Sequence, residues 1–251
     1  MKKVIIIGAS GHSAEITDYI THYNNSVAPE LCFDVVGYID DNKENYDSYS
    51  FVSPYLGTIQ DHEVSEEAEY IMGIANIQFR RTIVENFLQK GAKFATLIHP
   101  SAIVSPSAVV GEGCVVAHNA SIGPKAIIGN FNMLNSRCTI GHDSTVGEGC
   151  LIAHNASIGA KARVGNFNML NSRCTIGHDS ILGEFNFIGP QVVLSGFTKV
   201  GNNNMFGVNS ATIPTIEIGD NNTIAAGMII TKTVKDNETH FYRFKEKVVI
   251  T

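Results

Sequence analysis

Two histidine–aspartate pairs, His142-Asp143 and His178-Asp179, sit in identical surroundings. The stretch GNFNMLNSRCTIGHDS occurs at Gly129–Ser144 and again at Gly165–Ser180. A histidine beside a carboxylate can take a proton from an attacking nucleophile, while the acid holds its tautomer or raises its basicity. Eighteen residues beyond His178 is Gly196, in LSGFT. Its backbone N–H could stabilise the oxyanion of an acyl-transfer intermediate. Eighteen beyond His142 is Ala160, in IGAKA, which offers the same N–H with a methyl that crowds a thioester. Asn135 and Asn171 precede each histidine by seven residues. They are candidate substrate contacts, although asparagine at chain corners also has a structural use.

A second cluster lies near the start. The turn Gly8-Ala-Ser-Gly-His-Ser13 follows an apolar run and opens a helix. Backbone N–H groups at such a helix start suit a phosphate, and Gly8 and Gly11 let the backbone approach closely. The full GxGxxG spacing is missing, which disfavours a dinucleotide. Asp40-Asp41 ends the second apolar run, where carboxylates can meet a ribose or base. The five cysteines form no CxxC or Cys/His cluster, so they read as small core residues and no metal is expected.

The element that must hold the two His-Asp pairs is set by a period of six. From Ile98 to Ile230 an apolar residue falls at every sixth position, with Thr212 the one lapse. Small residues such as Ala108, Cys114, Ala120, Ala126 and Cys138 follow four positions later. This spacing fits neither a helix nor a simple strand. It fits a triangular prism whose coils each take 18 residues in three short strands, stacked by parallel pairing about 4.8 Å apart. Twenty-three hexads predict seven to eight coils. Residues 111–146 and 147–182 are a tandem duplication, identical at 29 of 36 positions. Thirty-six residues are two whole coils, so both histidines fall on one prism edge, about 10 Å apart. His118 and His154 fall on a different edge.

Residues 1–97 alternate strands and helices, as in a small Rossmann-like α/β domain. Strands are expected at Lys3–Ile7, Cys32–Ile39 and Glu69–Ala75, and helices at Ala14–Tyr23 and Phe79–Lys90. The polar stretch Asn42–Ser53 reads as a loop. The prism is expected over 98–234, and 235–251 as a tail. The net charge of −6 gives no basic patch for nucleic acid or anionic membrane. No signal peptide and no apolar run long enough for a membrane span are read, so a cytoplasmic protein is expected.

The α/β region with GASGH and Asp40-Asp41, then IHPSAIVSPSA, LNSRCTIGHDS and LSG, resembles the hexapeptide-repeat nucleotide-sugar acetyltransferases. That family includes the bacillosamine-pathway N-acetyltransferases and sialic acid O-acetyltransferase-like proteins. The resemblance implies a left-handed parallel β-helix in a homotrimer, with active sites between adjacent β-helices. It implies acetyl-CoA as co-substrate, no metal, and a nucleotide-linked 4-amino sugar as acceptor for surface glycan synthesis. In that reading His178 is the general base, Asp179 its acidic neighbour and Gly196 the oxyanion donor, with His142 and Asp143 the alternative copy. Gly8, Ser10, Gly11, His12, Asp40, Asp41, Ala75 and Asn76 would hold the nucleotide sugar, and Phe187, Ser195, Gly196 and Gly207 the coenzyme. The ending HFYRFKEKVVIT departs from the family's GxPAK-like loop. The inserted coils are expected to separate the sugar domain from the downstream coenzyme surface by about 10 Å. Sugar O-acetylation, or an extended scaffold with impaired catalysis, are the alternatives.

Overall fold

A computed structural model describes residues 1–242. The N-terminal region forms a four-stranded parallel sheet from β1 (Lys2–Ile7), β2 (Phe33–Ile39), β3 (Tyr55–Gly57) and β4 (Glu69–Met72), in the order β3-β2-β1-β4. Val4, Ile6 and Ile7 are wholly buried, as a strand covered on both faces requires. Helix α1 (Gly11–Asn24) follows the Gly-rich turn, and α3 (Ile77–Gln89) follows β4. Between β2 and β3 the expected loop holds a short helix, α2 (Lys43–Asp47). The Asn42 side chain caps it by accepting from the Glu44 N–H at 3.0 Å, so a polar stretch that looked like loop carried its own helix start.

From Leu97 the chain winds into a prism of two-residue parallel strands. Among the described residues its three faces hold nine, eight and seven strands, or eight coils of three. The first face begins at Leu97–Ile98, the second at Ile103–Val104 and the third at Val109–Val110. This is the parallel prism that the period of six implied, and the left-handed β-helix that the resemblance implied. The hexad residues from Ile122 to Ile230 point inward and are buried. Thr212 is buried too, and its hydroxyl is used: it accepts from the Ser195 N–H at 2.9 Å and pairs with the Thr198 hydroxyl at 3.0 Å. The last strand, Thr239–His240, pairs with Thr223–Ile224, so the prism runs beyond the expected end at residue 234.

From Gly113 to Gly227 each corner turns on one residue with positive φ, three positions after the inward residue. Asn119, Asp143, Asn155, Asp179 and Asn203 suit that conformation, whereas Phe131, Phe167, Phe185 and Phe197 adopt it against their preference. The corner after the third face also carries a buried asparagine ladder. Asn168, Asn186 and Asn204 each accept, through the side-chain oxygen, the N–H of the next asparagine up at 2.8 or 2.9 Å.

The α/β region lies against the first face. Ile16, Tyr19 and Ile20 of α1 share one apolar cluster with Leu97, Val115, Ala117, Met133 and Leu151. On α3, Arg80 is fully buried with no acid partner among the described residues. It donates to the Ile74 carbonyl at 2.8 Å and the Phe131 carbonyl at 2.7 Å. Burial pushes its pKa down to about 10.

Candidate functional site

His142 and His178 occupy the corner after the second face, in a vertical column that reads Pro124, His142, Ala160, His178, Gly196, Pro214. Both imidazoles are more than half exposed. His178 Nδ1 lies 2.8 Å from Asp179 Oδ2, and His142 Nδ1 lies 2.7 Å from Asp143 Oδ2. The aspartates hold positive φ at the corner, which turns each carboxylate back onto the ring of the preceding residue. The hydrogen bond from His142 holds the Asp143 carboxyl below its ordinary range.

Above the histidines the two copies part. The His178 ring lies directly against Gly196: a Cβ added there would stand 2.9 Å from His178 Nε2. A side chain at 196 would make the ring shift from this position. The Gly196 carbonyl accepts from Thr215, while its N–H meets no backbone acceptor among the described residues. Phe197 meets the His178 ring edge-on, centroids 5.1 Å apart. His142 has Ala160 at the equivalent place.

The residues that the resemblance assigned to the nucleotide sugar gather around the carboxyl ends of the parallel strands. A cavity of about 900 Å³ is lined by Ser10, Asp40, Asp41, Asn45, Gln60, Ala75 and Asn76, by Phe79, Thr82, Ile83, Asn86 and Phe87 of α3, and by Lys90 just after it. Asp40 is buried and its oxygens are engaged, accepting from the Ala9 N–H at 2.7 Å, the Asn42 N–H at 2.9 Å and the Asn45 amide at 3.0 Å. It ties the Gly-rich turn to the end of β2. Asp41 accepts from the Ile59 and Gln60 N–H groups through Oδ1. Gly8, with φ of +99°, Gly11 and His12 belong to the same turn as Ser10 but are not part of the cavity's lining. His12 Nδ1 faces Glu15 at 3.4 Å, and its buried Nε2 has no partner among the described residues. The Asn76 side chain caps α3.

A groove of about 610 Å³ continues from this cavity. Ala75, Asn76, Ile77 and Gln78 face Phe167, Met169, Phe185 and Phe187 across it. Phe167 and Phe185 stack at 5.6 Å beneath the Arg81 guanidinium. Phe167 belongs to the coil that carries His178, and Phe185 and Phe187 to the coil that carries Gly196. The α/β region thus reaches the level of both, across the inserted coils. Sequence reasoning missed this because the docking depends on α3, whose apolar residues carry no six-residue period.

The remaining expected residues lie elsewhere on the prism. Asn135, Asn171 and Gly207 sit on the corner after the first face, with His118 and His154. The Asn171 amide donates to the Ile188 carbonyl at 3.1 Å. Phe187 opens onto the groove, not onto the His178 corner. Ser195 adjoins Gly196, its hydroxyl donating to the Thr212 carbonyl at 2.6 Å. The tail residues 243–251, which include most of the divergent ending, lie outside the described residues. Among the described residues no cluster of three or more His, Cys, Asp or Glu could hold a metal, and no helix is long and apolar enough to cross a membrane.

The architecture defines a class: a parallel β-helix carrying an α/β region on one face. Residues 3–87 match the PglD N-terminal domain, and residues 95–198 match the GMPPB C-terminal domain. Among solved structures, the acetyltransferase domain of PglB from Neisseria gonorrhoeae FA1090, in complex with acetyl coenzyme A, is 22% identical. The match covers 95% of each chain with a TM-score of 0.55. A mutant of perosamine N-acetyltransferase from Caulobacter crescentus, in complex with CoA and GDP-perosamine, is 19% identical over 95% of this chain and 93% of its own, with a TM-score of 0.56. WeeI from Acinetobacter baumannii AYE is 15% identical over 95% and 96%, with a TM-score of 0.54. No curated protein matches. The chain shares the fold of these three structures over nearly its whole length.

Proposed function

We propose that the protein transfers an acetyl group from acetyl-CoA to the amino group of a nucleotide-linked 4-amino sugar. The observation that carries this reading is the His178 ring, held by Asp179 and lying over Gly196, in the two coils that the sugar-side groove reaches. His178 Nε2 takes the proton from the amine as nitrogen attacks the thioester carbonyl. The Gly196 N–H meets the oxygen that becomes negative, and the thiolate of coenzyme A leaves. Two of the similar structures hold acetyl coenzyme A, or CoA with GDP-perosamine, which supports both substrate classes.

The groove and His178 stand on different corners of the prism, so one chain does not join them. A homotrimer with sites between neighbouring prisms would place one copy's groove beside the next copy's His178. The test is coenzyme A release from acetyl-CoA with a panel of 4-amino-sugar nucleotides, alongside the mass in solution. Turnover by a trimer is expected. A monomer that turns over, or a folded trimer inert across the panel, would count against the reading.

A further inference from the structure

We infer that Ala160 is a specificity-determining residue, whose methyl silences a second acyl-transfer centre built by the duplication at His142-Asp143. This inference rests on His178 being the working base. The two centres share their dyad geometry to within 0.1 Å at the Nδ1–Oδ2 contact. They share the backbone beneath the donor as well. Gly141 faces the Ala160 N as Gly177 faces the Gly196 N, and the N–H of the residue after each donor, Lys161 or Phe197, bonds back to the carbonyl of the histidine below it at 2.9 or 3.0 Å. At the donor position itself the difference is one methyl, flanked by Gly159 in place of Ser195 and Lys161 in place of the Phe197 that meets the His178 ring. At 196 a methyl would come within 2.9 Å of Nε2, the atom that must face the amine. The duplicate carries that methyl at 160, so the His142 ring cannot take the place against Ala160 that the His178 ring takes against Gly196.

A second difference sets which substrate such a centre would take. Phe167 lines an open groove at the level of His178. Its copy Phe131, in the coil of His142, is buried against Phe94 and under Arg80. The sugar-side groove is closed at that level. A centre freed at His142 would accept a small amine nucleophile and not a nucleotide sugar. The step balances in the usual way: the amine nitrogen bonds to the thioester carbon, the C–S bond breaks, His142 accepts the amine proton, and the thiol of coenzyme A is released.

The experiment uses the full chain, with acetyl-CoA and hydroxylamine as the small acceptor. His178→Ala is expected to be silent. His178→Ala with Ala160→Gly is expected to regain coenzyme A release roughly a hundredfold above that background. Adding His142→Ala should remove the gain, and the 4-amino-sugar nucleotides should not be acetylated by the regained activity. Thermal melting checks that each variant folds. A silent His178→Ala whose Ala160→Gly derivative is folded and equally silent overturns the inference and leaves the proposed function standing. A His178→Ala variant as active as the parent overturns both.

Discussion

The two copies of the duplicated stretch are nearly the same sequence in two different places. The coil of His142 is pressed at its far corner by the α/β region, where Arg80 and Phe94 cover Phe131. The coil of His178 is covered less tightly, and there the corresponding Phe167 lines a groove. Identical sequence therefore became packing in one copy and accessible surface in the other. Local sequence made the corners and the dyads, whereas their use depends on what lies one coil above and what docks alongside.

The sharpest way to break this comparison is to remove each histidine. His178→Ala is expected to lower kcat for acetyl transfer by about 10²- to 10⁴-fold, the range typical of a lost general base. His142→Ala should stay within about twofold of the parent, since its ring has no paired glycine donor. Steady-state release of coenzyme A measures both. Equal losses would show that the copies work as one unit, and loss only at His142 would reverse the assignment.

Gly196→Ala should come next. The added methyl meets His178 Nε2, so the ring must turn away from the donor. Loss of about 10²-fold in kcat is expected, the scale of a lost oxyanion donor, with an unchanged melting temperature. A variant that melts much lower would mean that Gly196 serves the coil and not the chemistry.

The paired phenylalanines sharpen the comparison on stability. Phe131→Ala removes a buried ring and should cost about 3–5 kcal/mol in denaturant unfolding. Phe167→Ala loses only a stacked, partly exposed contact with Phe185 and Arg81, worth about 1 kcal/mol. It should instead raise KM for the sugar nucleotide. If Phe131→Ala raises KM and Phe167→Ala unfolds the protein, the docking of the α/β region has been placed at the wrong coil.

Much of this architecture is legible in the residues alone. The six-residue period set the prism, the inward residues and the stacking of Gly196 over His178, because each strand pairs only with residues 18 away. The corner positions with positive φ were not visible, since Phe167 and Arg173 hold them as Asn155 and Asp179 do. The use of Asp40 was also hidden. A strand-end aspartate reads as a ligand for ribose, yet Asp40 is occupied by three donors from its own fold. Nor could the sequence place α3, which is why the inserted coils looked as though they must part the sugar region from His178.

A smaller effect separates the two acids. Asp179→Asn should lower kcat about tenfold by loosening the ring's orientation, while Asp143→Asn leaves it unchanged. Asp143 titrates below its ordinary 3.8, so its contribution to stability is present above that value and is lost as pH falls through the depressed one. Because the pair is exposed, melting curves of Asp143→Asn and the parent should coincide at pH 7.

The smallest expected difference is a null one, and it tests whether the coils themselves are equivalent. Cys138 and Cys174 are the same residue in the two copies, each buried four positions after an inward leucine. Burial pushes both thiols up to about 12. At pH 8 only about one in 10⁴ is then thiolate, so a thiol reagent reaches either only when its coil opens. Both should label at the same slow rate under native conditions. Faster labelling of Cys174 would show that the coil of His178 opens more readily than its copy, and the difference between the two corners would then be dynamic as well as steric.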